Sequence, residues 1–181
     1  MDKNEQEFLQ KKAKWLSHLL NGHKYTDLIA EAKNLREKYP EVYFFSNAIG
    51  LGYHGLGQNK EAQDIFENAL EIHKDNVHIL NNLGMVLSAQ DKDQEAEKYL
   101  IKAIEISPKH LSARVTFSNI KKKFNKYEEA IENLKLIYND YPNEYIVNFN
   151  LANAYQESGD FENARKFHKI CIEKFPYITS S

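Results

Sequence analysis

Cysteine is almost absent from this chain. Cys171 stands alone, so no internal disulfide can form and the fold must be held by packing. A single thiol, with no apolar signal core in the opening Met1–Gln6, sets the expectation of a reducing, cytoplasmic compartment. Long apolar runs are missing too: nothing approaches the roughly 20 residues that span a bilayer, so no membrane segment is expected. Arginine is scarce, with Arg36, Arg114 and Arg165 among 24 basic residues, which leaves few forked donors for phosphates. A net charge of −2 and a pI near 6.4 add no global attraction to nucleic acid, and no nucleic-acid partner is expected. Proline is rare, and its few positions are informative.

Pro40, Pro108, Pro142 and Pro176 are separated by 108−40 = 68, 142−108 = 34 and 176−142 = 34 residues, all one phase of a single period. The segments Lys60-Glu61-Ala62, Gln94-Glu95-Ala96, Glu128-Glu129-Ala130 and Glu162-Asn163-Ala164 keep the same step, since 96−62, 130−96 and 164−130 each equal 34. Each period reads as two amphipathic helices. Ile79, Leu80, Leu83, Val86 and Leu87 recur at helical spacing, Asp91-Lys92-Asp93 interrupts, and Ala96, Tyr99, Leu100, Ala103 and Ile104 resume. Pro108 then blocks the second helix and is expected in the first turn of the next one.

These elements resemble the tetratricopeptide repeat, W-x2-L-G-x2-Y, then A-x3-F, then P. The second unit carries it as Ile49-Gly50-x2-Tyr53 and Ala62-x3-Phe66; the third as Leu83-Gly84-x2-Leu87, Ala96-x3-Leu100 and Pro108; the fifth as Leu151-Ala152-x2-Tyr155 and Pro176. Lys74 replaces one proline, and Ser118 and Lys121 replace the glycine and tyrosine of the fourth unit. The resemblance implies an all-α, right-handed α-solenoid of about five helix-turn-helix repeats in one array: a degenerate 9–42, then 43–76, 77–110, 111–144 and 145–178. In the degenerate unit Trp15 and Leu16 are expected near the inter-helix contact.

The frame also decides the segment Gly50-Leu51-Gly52-Tyr53-His54-Gly55, which matches the G-x-G-x-x-G of dinucleotide folds. In register, Gly50 corresponds to Gly84, Ser118 and Ala152, and Gly52 to Val86, Ile120 and Ala154, so these are helix positions. No nucleotide or other cofactor is expected. Gly57, aligned with Asp91, Asn125 and Gly159, is expected to end the first helix in a left-handed conformation. Gly52 and Gly55 within one helix leave two readings, a locally soft second unit or a neighbour packed closely against its backbone; the soft reading is preferred, and under it Gly52→Ala would be neutral or stabilising by up to about 1 kcal/mol.

No catalytic motif and no metal-ligand spacing stands out, so no enzyme activity, catalytic residue or metal site is expected. His168 and Cys171 fall on packing positions. Function is expected on a surface, and the resemblance implies a concave groove lined by the first helices that takes a protein or peptide segment. By register the groove residues are Asn47, His54, Asn81, Asn82, Met85, Asn119, Lys122, Lys123, Phe149, Asn150 and Asn153. Carboxamides both donate and accept, which suits a peptide backbone. Asn82 and Asn150 share the position of the asparagine ladder in O-linked N-acetylglucosamine transferase repeats. Lys122 and Lys123 could meet an acidic segment. The array ends without a polar capping helix over Phe167, Ile170 and Phe175, which predicts self-association through the last repeat. The same feature suits an alternative role as the substrate-recruiting N-terminal array of a larger glycosyltransferase or sulfotransferase.

Overall fold

The computed structural model describes residues 3–176. Within them the chain is all-α, with helices α1 Lys3–Asn21, α2 Tyr25–Lys38, α3 Tyr43–Gly55, α4 Asn59–Ile72, α5 Val77–Ser88, α6 Asp93–Ile106, α7 Leu111–Lys123, α8 Tyr127–Asp140, α9 Tyr145–Ser158 and α10 Phe161–Lys174. The first helices α3, α5, α7 and α9 begin 34 residues apart (77−43, 111−77, 145−111). α1 departs from that pattern by starting at Lys3 rather than near residue 9. The last two residues of the expected fifth repeat, 177 and 178, lie outside the described residues.

The intra-repeat turn has one geometry. His23, Gly57, Asp91, Asn125 and Gly159, each 34 beyond the last, all have positive φ between 54° and 86°. The residue after each donates its N–H five residues back, as in Lys24 to Leu19, Gln58 to Tyr53, Lys92 to Leu87, Lys126 to Lys121 and Asp160 to Tyr155, at 2.9–3.0 Å. This is the Schellman closure, which satisfies a helix-end carbonyl and reverses the chain. Pro40, Pro108 and Pro142 sit two residues past the second helices, in the turn and ahead of the next helix rather than in its first turn. Asn148, fully buried, secures one such turn by donating its amide to the carbonyls of Pro142 and Glu144, both at 2.9 Å.

The helices form two compact units, Met1–Tyr99 and Leu100–Ser181, and each has its own core. The first packs Leu16, Leu19, Leu28, Ala32, Phe45 and Ile49 together; the second packs Leu134, Ile137, Val147, Leu151 and Phe167.

Several expectations need correction. Trp15 is 47% exposed and stacks on His18. Of its register partners, Ile49, Leu83 and Leu151 are fully buried and Phe117 is half-buried; no described helix precedes α1 to cover that face, and it is Leu16 and Leu19 that are buried, with Leu9 and Leu20 packed partly against the same core. The first helix of the second repeat is tightly packed rather than soft. A Cβ on Gly50 would meet the Phe66 ring at 2.4 Å, one on Gly52 would meet Ile29 Cγ1 at 2.6 Å, and one on Gly55 would meet the Tyr25 ring at 2.4 Å. Phe167 is not an uncovered end residue: it is buried, stacked on Tyr155 at 5.7 Å and edge-on to Tyr138 at 5.4 Å. Cys171 is core, and burial raises its thiol pKa, whereas His168 is only half-buried, with Nε2 3.2 Å from Gln156 Oε1.

The fourth repeat accommodates its departures. Ser118, in the glycine position, is enclosed in a network: Asn133 donates to Ser118 Oγ at 2.7 Å and to the Arg114 carbonyl at 2.8 Å, and Arg114 donates to Asn133 Oδ1 at 2.5 Å. Lys121, in the tyrosine position, is buried along its stem. Its ammonium lies 4.8 Å from the Phe117 ring centroid and 2.9 Å from Glu129.

Candidate functional site: the faces of the first helices

In the first compact unit, α3 and α5 lie side by side and carry Asn47, His54, Asn81, Asn82 and Met85. Three amides form a relay: Asn81 Nδ2 donates to Asn82 Oδ1 at 2.9 Å, and Asn82 Nδ2 donates to Asn47 Oδ1 at 2.6 Å. Asn81 and Asn82 are buried, at 6% and 9% exposure, while Asn47 is half-buried, so the relay runs outward and its last NH2 belongs to Asn47. Sequence register alone places all three in the groove; the structure divides them into two supporting amides and one presented amide. Met85 is half-buried. His54 Nδ1 is 2.7 Å from Asn59 Oδ1, tying it to the start of α4. Tyr43 stacks on His78 at 6.0 Å, an α3–α5 ring pair at the other end of the face.

In the second compact unit the face belongs to α7 and α9. Asn119 and Lys123 are exposed and Asn153 is half-buried. Asn150 is buried and donates Nδ2 to the Ile146 carbonyl at 2.7 Å, a bond within its own helix. Phe149 is 37% exposed and lies against Tyr145, ring centroids 5.5 Å apart. Tyr145 is thus a member of the face that the expected set lacks, although its i, i+4 spacing to Phe149 signals the contact.

The lysine run is largely neutralised from within. Lys122 pairs with Glu157 at 3.3 Å, and Lys121 and Lys126 converge on Glu129 at 2.9 and 3.4 Å. The Lys121 hydrogen bond holds the Glu129 carboxyl below its usual pKa. Among the described residues no helix is long and apolar enough to cross a membrane, and no three His, Cys, Asp or Glu side chains group to hold a metal. What the two faces offer is amides, partly exposed rings and a few paired charges.

Comparison with known proteins follows the same lines. Tetratricopeptide repeat models match residues 45–109 and 149–174. The chain is 28% identical over 153 residues to the BBSome complex member BBS4 of Bos taurus, covering 84% of this chain and 29% of that protein. It is 30% identical over 84 residues to the aspartyl/asparaginyl beta-hydroxylase of Mus musculus, 46% of this chain and 11% of the hydroxylase. The chain therefore spans less than a third of the length of these curated relatives. Among solved structures, a thermophilic TPR protein of Thermus thermophilus superposes with a TM-score of 0.82 at 13% identity, covering 92% of this chain and 91% of that one. YrrB, described as a TPR protein with an unusual peptide-binding site, gives 0.63 at 21% identity over 91% and 85%. MamA gives 0.69 at 16% over 100% and 99%. These likenesses are likenesses of fold, and they agree with the all-α architecture of paired helices described above. The chain belongs to the tetratricopeptide repeat family.

Proposed function

We propose that this chain is a protein-interaction scaffold that holds a peptide segment on the first-helix face of each compact unit, without chemistry of its own. The observation that carries this reading is the amide relay of α3 and α5. Asn81 and Asn82 fix the Asn47 carboxamide, so its free donors are oriented before a ligand arrives, and little side-chain entropy remains to be lost on binding. A carboxamide held this way can pair with a peptide carbonyl irrespective of side chain. Met85 beside it supplies an adaptable apolar contact. On α7 and α9, Asn119, Asn153 and the Phe149 ring play the corresponding parts, and Lys122 and Lys123 favour acidic residues in the ligand only to the extent that Glu157 yields Lys122.

The test is binding of a peptide selected from a display library against the whole chain. Asn47→Ala and Asn119→Ala should each weaken binding by about 0.5–1.5 kcal/mol, and Lys98→Ala or Lys135→Ala on the second helices should leave it unchanged. Loss of binding on the lysine changes with none on the asparagine changes would place the ligand elsewhere.

A second reading is favoured by the 11% share of a hydroxylase that matches this chain. Such an array could serve as the recruiting segment of a larger enzyme, presenting substrate to a catalytic domain. The peptide face would be the same, and its ligand would then be a substrate of that domain.

A further inference from the structure

We propose that the outer face of α10 is a seat for an acidic amphipathic helix of a partner protein. The same compact unit shows what such a seat looks like when filled. α9 packs against α8, and Ile131 and Leu134 of α8, at 8% and 0% exposure, belong with the adjoining Tyr138 to the core cluster that holds Val147 and Leu151 of α9. Adding 34 places Arg165, His168 and Ile172 at those positions of α10, with Phe161 one turn before Arg165. No described helix covers them: Phe161 is 65% and Ile172 61% exposed. A shallow hollow of about 380 Å³ lies between Gln156, Phe161, Ala164, Arg165 and His168. Phe161 lines that hollow and Ile172 stands about three turns further along α10, an exposed apolar pair at helical spacing of the kind a docked helix covers.

Charge selects the occupant. Where α8 has Ile131 and Leu134, α10 has a guanidinium and an imidazole, so an all-apolar helix would strand Arg165 against a dry surface. A helix bearing carboxylates beside its apolar stripe pairs with Arg165 while covering Phe161 and Ile172. A second copy of this chain fits poorly. The exposed side of α1 carries Lys11, Lys14 and His18, while the carboxylates beside Trp15, Asp27 and Glu31, come from α2 and Glu31 is already paired with Lys12, so α1 itself would bring cations to Arg165. Like charges in juxtaposition select against that pairing. This seat uses none of the first-helix asparagines, so it stands or falls separately from the peptide face.

The probe is a hydrocarbon-stapled, fluorescently labelled peptide copying the apolar pattern of residues 145–158, with Glu at the positions flanking its apolar stripe, and a control with Lys at those positions. The whole chain should bind the Glu peptide at least about tenfold more tightly than the Lys peptide. Arg165→Glu should reverse that preference, and Phe161→Ser should weaken both peptides. Circular dichroism melts of both variants should match the parent because both side chains are exposed. Absence of binding, equal binding of the two peptides, or a preference unchanged by Arg165→Glu would each overturn the proposal. So would a sedimenting dimer dispersed by Phe161→Ser, which would give the seat to a second copy.

Discussion

Gly52→Ala separates two views of the second repeat. Helix propensity alone favours alanine by about 1 kcal/mol, and Ala154 already occupies the equivalent position. The packing opposes it. The new Cβ would lie 2.6 Å from Ile29 Cγ1 and 3.2 Å from its Cδ1, with the Tyr25 carbonyl oxygen at 3.4 Å behind them. Ordinary carbon contacts are about 3.5–4.0 Å, so the approach is short by about 1 Å. Ile29 is 8% exposed and its Cγ1 is close to the backbone, so a rotamer change cannot clear the site and α2 must shift. Overpacking of this kind costs about 1–3 kcal/mol; set against the propensity gain, we expect net destabilisation of up to about 2 kcal/mol. Tm should fall by up to about 8 °C, followed by circular dichroism with a urea titration in parallel. In an Ile29→Ala background the same change should become neutral or stabilising, because the obstructing atoms are gone. A rise in Tm for Gly52→Ala in the parent chain would refute the argument.

Other consequences are as direct. Asn82→Ala should destabilise the chain by about 1–3 kcal/mol in chemical denaturation, because it deprives buried Asn81 and the Asn47 oxygen of a partner each. Asn148→Asp should be more disruptive than Asn148→Ala, since a carboxylate would face the Pro142 and Glu144 carbonyls to which the amide now donates. The carboxyls of Glu129 and Asp160 are held below their ordinary values by hydrogen bonds from Lys121 and Asn163. Groups so depressed contribute stability above their unfolded pKa values of about 4 and lose it as pH falls through the folded ones, so a Tm–pH curve should drop on that acid limb and flatten in Glu129→Gln. Cys171, buried and with a raised pKa, should react with a disulfide reagent at pH 8 only on unfolding.

The sequence makes the architecture legible because a repeat states each structural fact several times. One proline phase, one A-x3-F phase and one turn phase agree, and a left-handed residue recurs at 23, 57, 91, 125 and 159 although it is glycine at only two of them. Three details escape such reading. Whether Gly52 is a weakness or a fit depends on the distance to Ile29, which belongs to another helix. Trp15 occupies a core position by register, yet its burial depends on a preceding helix that the described residues do not include. The asparagines share a groove-facing phase, but burial and donor direction separate Asn82, which supports, from Asn47, which presents; that distinction exists only once α3 and α5 are side by side. Register therefore delivers the candidate face as a set, and packing assigns the separate parts within it.

The central claim is that oriented amides on the first helices receive the ligand, and side-chain amide resonances report on it directly. With the chain ¹⁵N-labelled and titrated with a display-selected peptide, the NH2 signals of Asn47 and Asn119 should shift saturably, while the backbone signals of Lys98 and Lys135 on the second helices stay in place. Shifts confined to the second helices, with the Asn47 and Asn119 amides unmoved at saturation, would contradict the account.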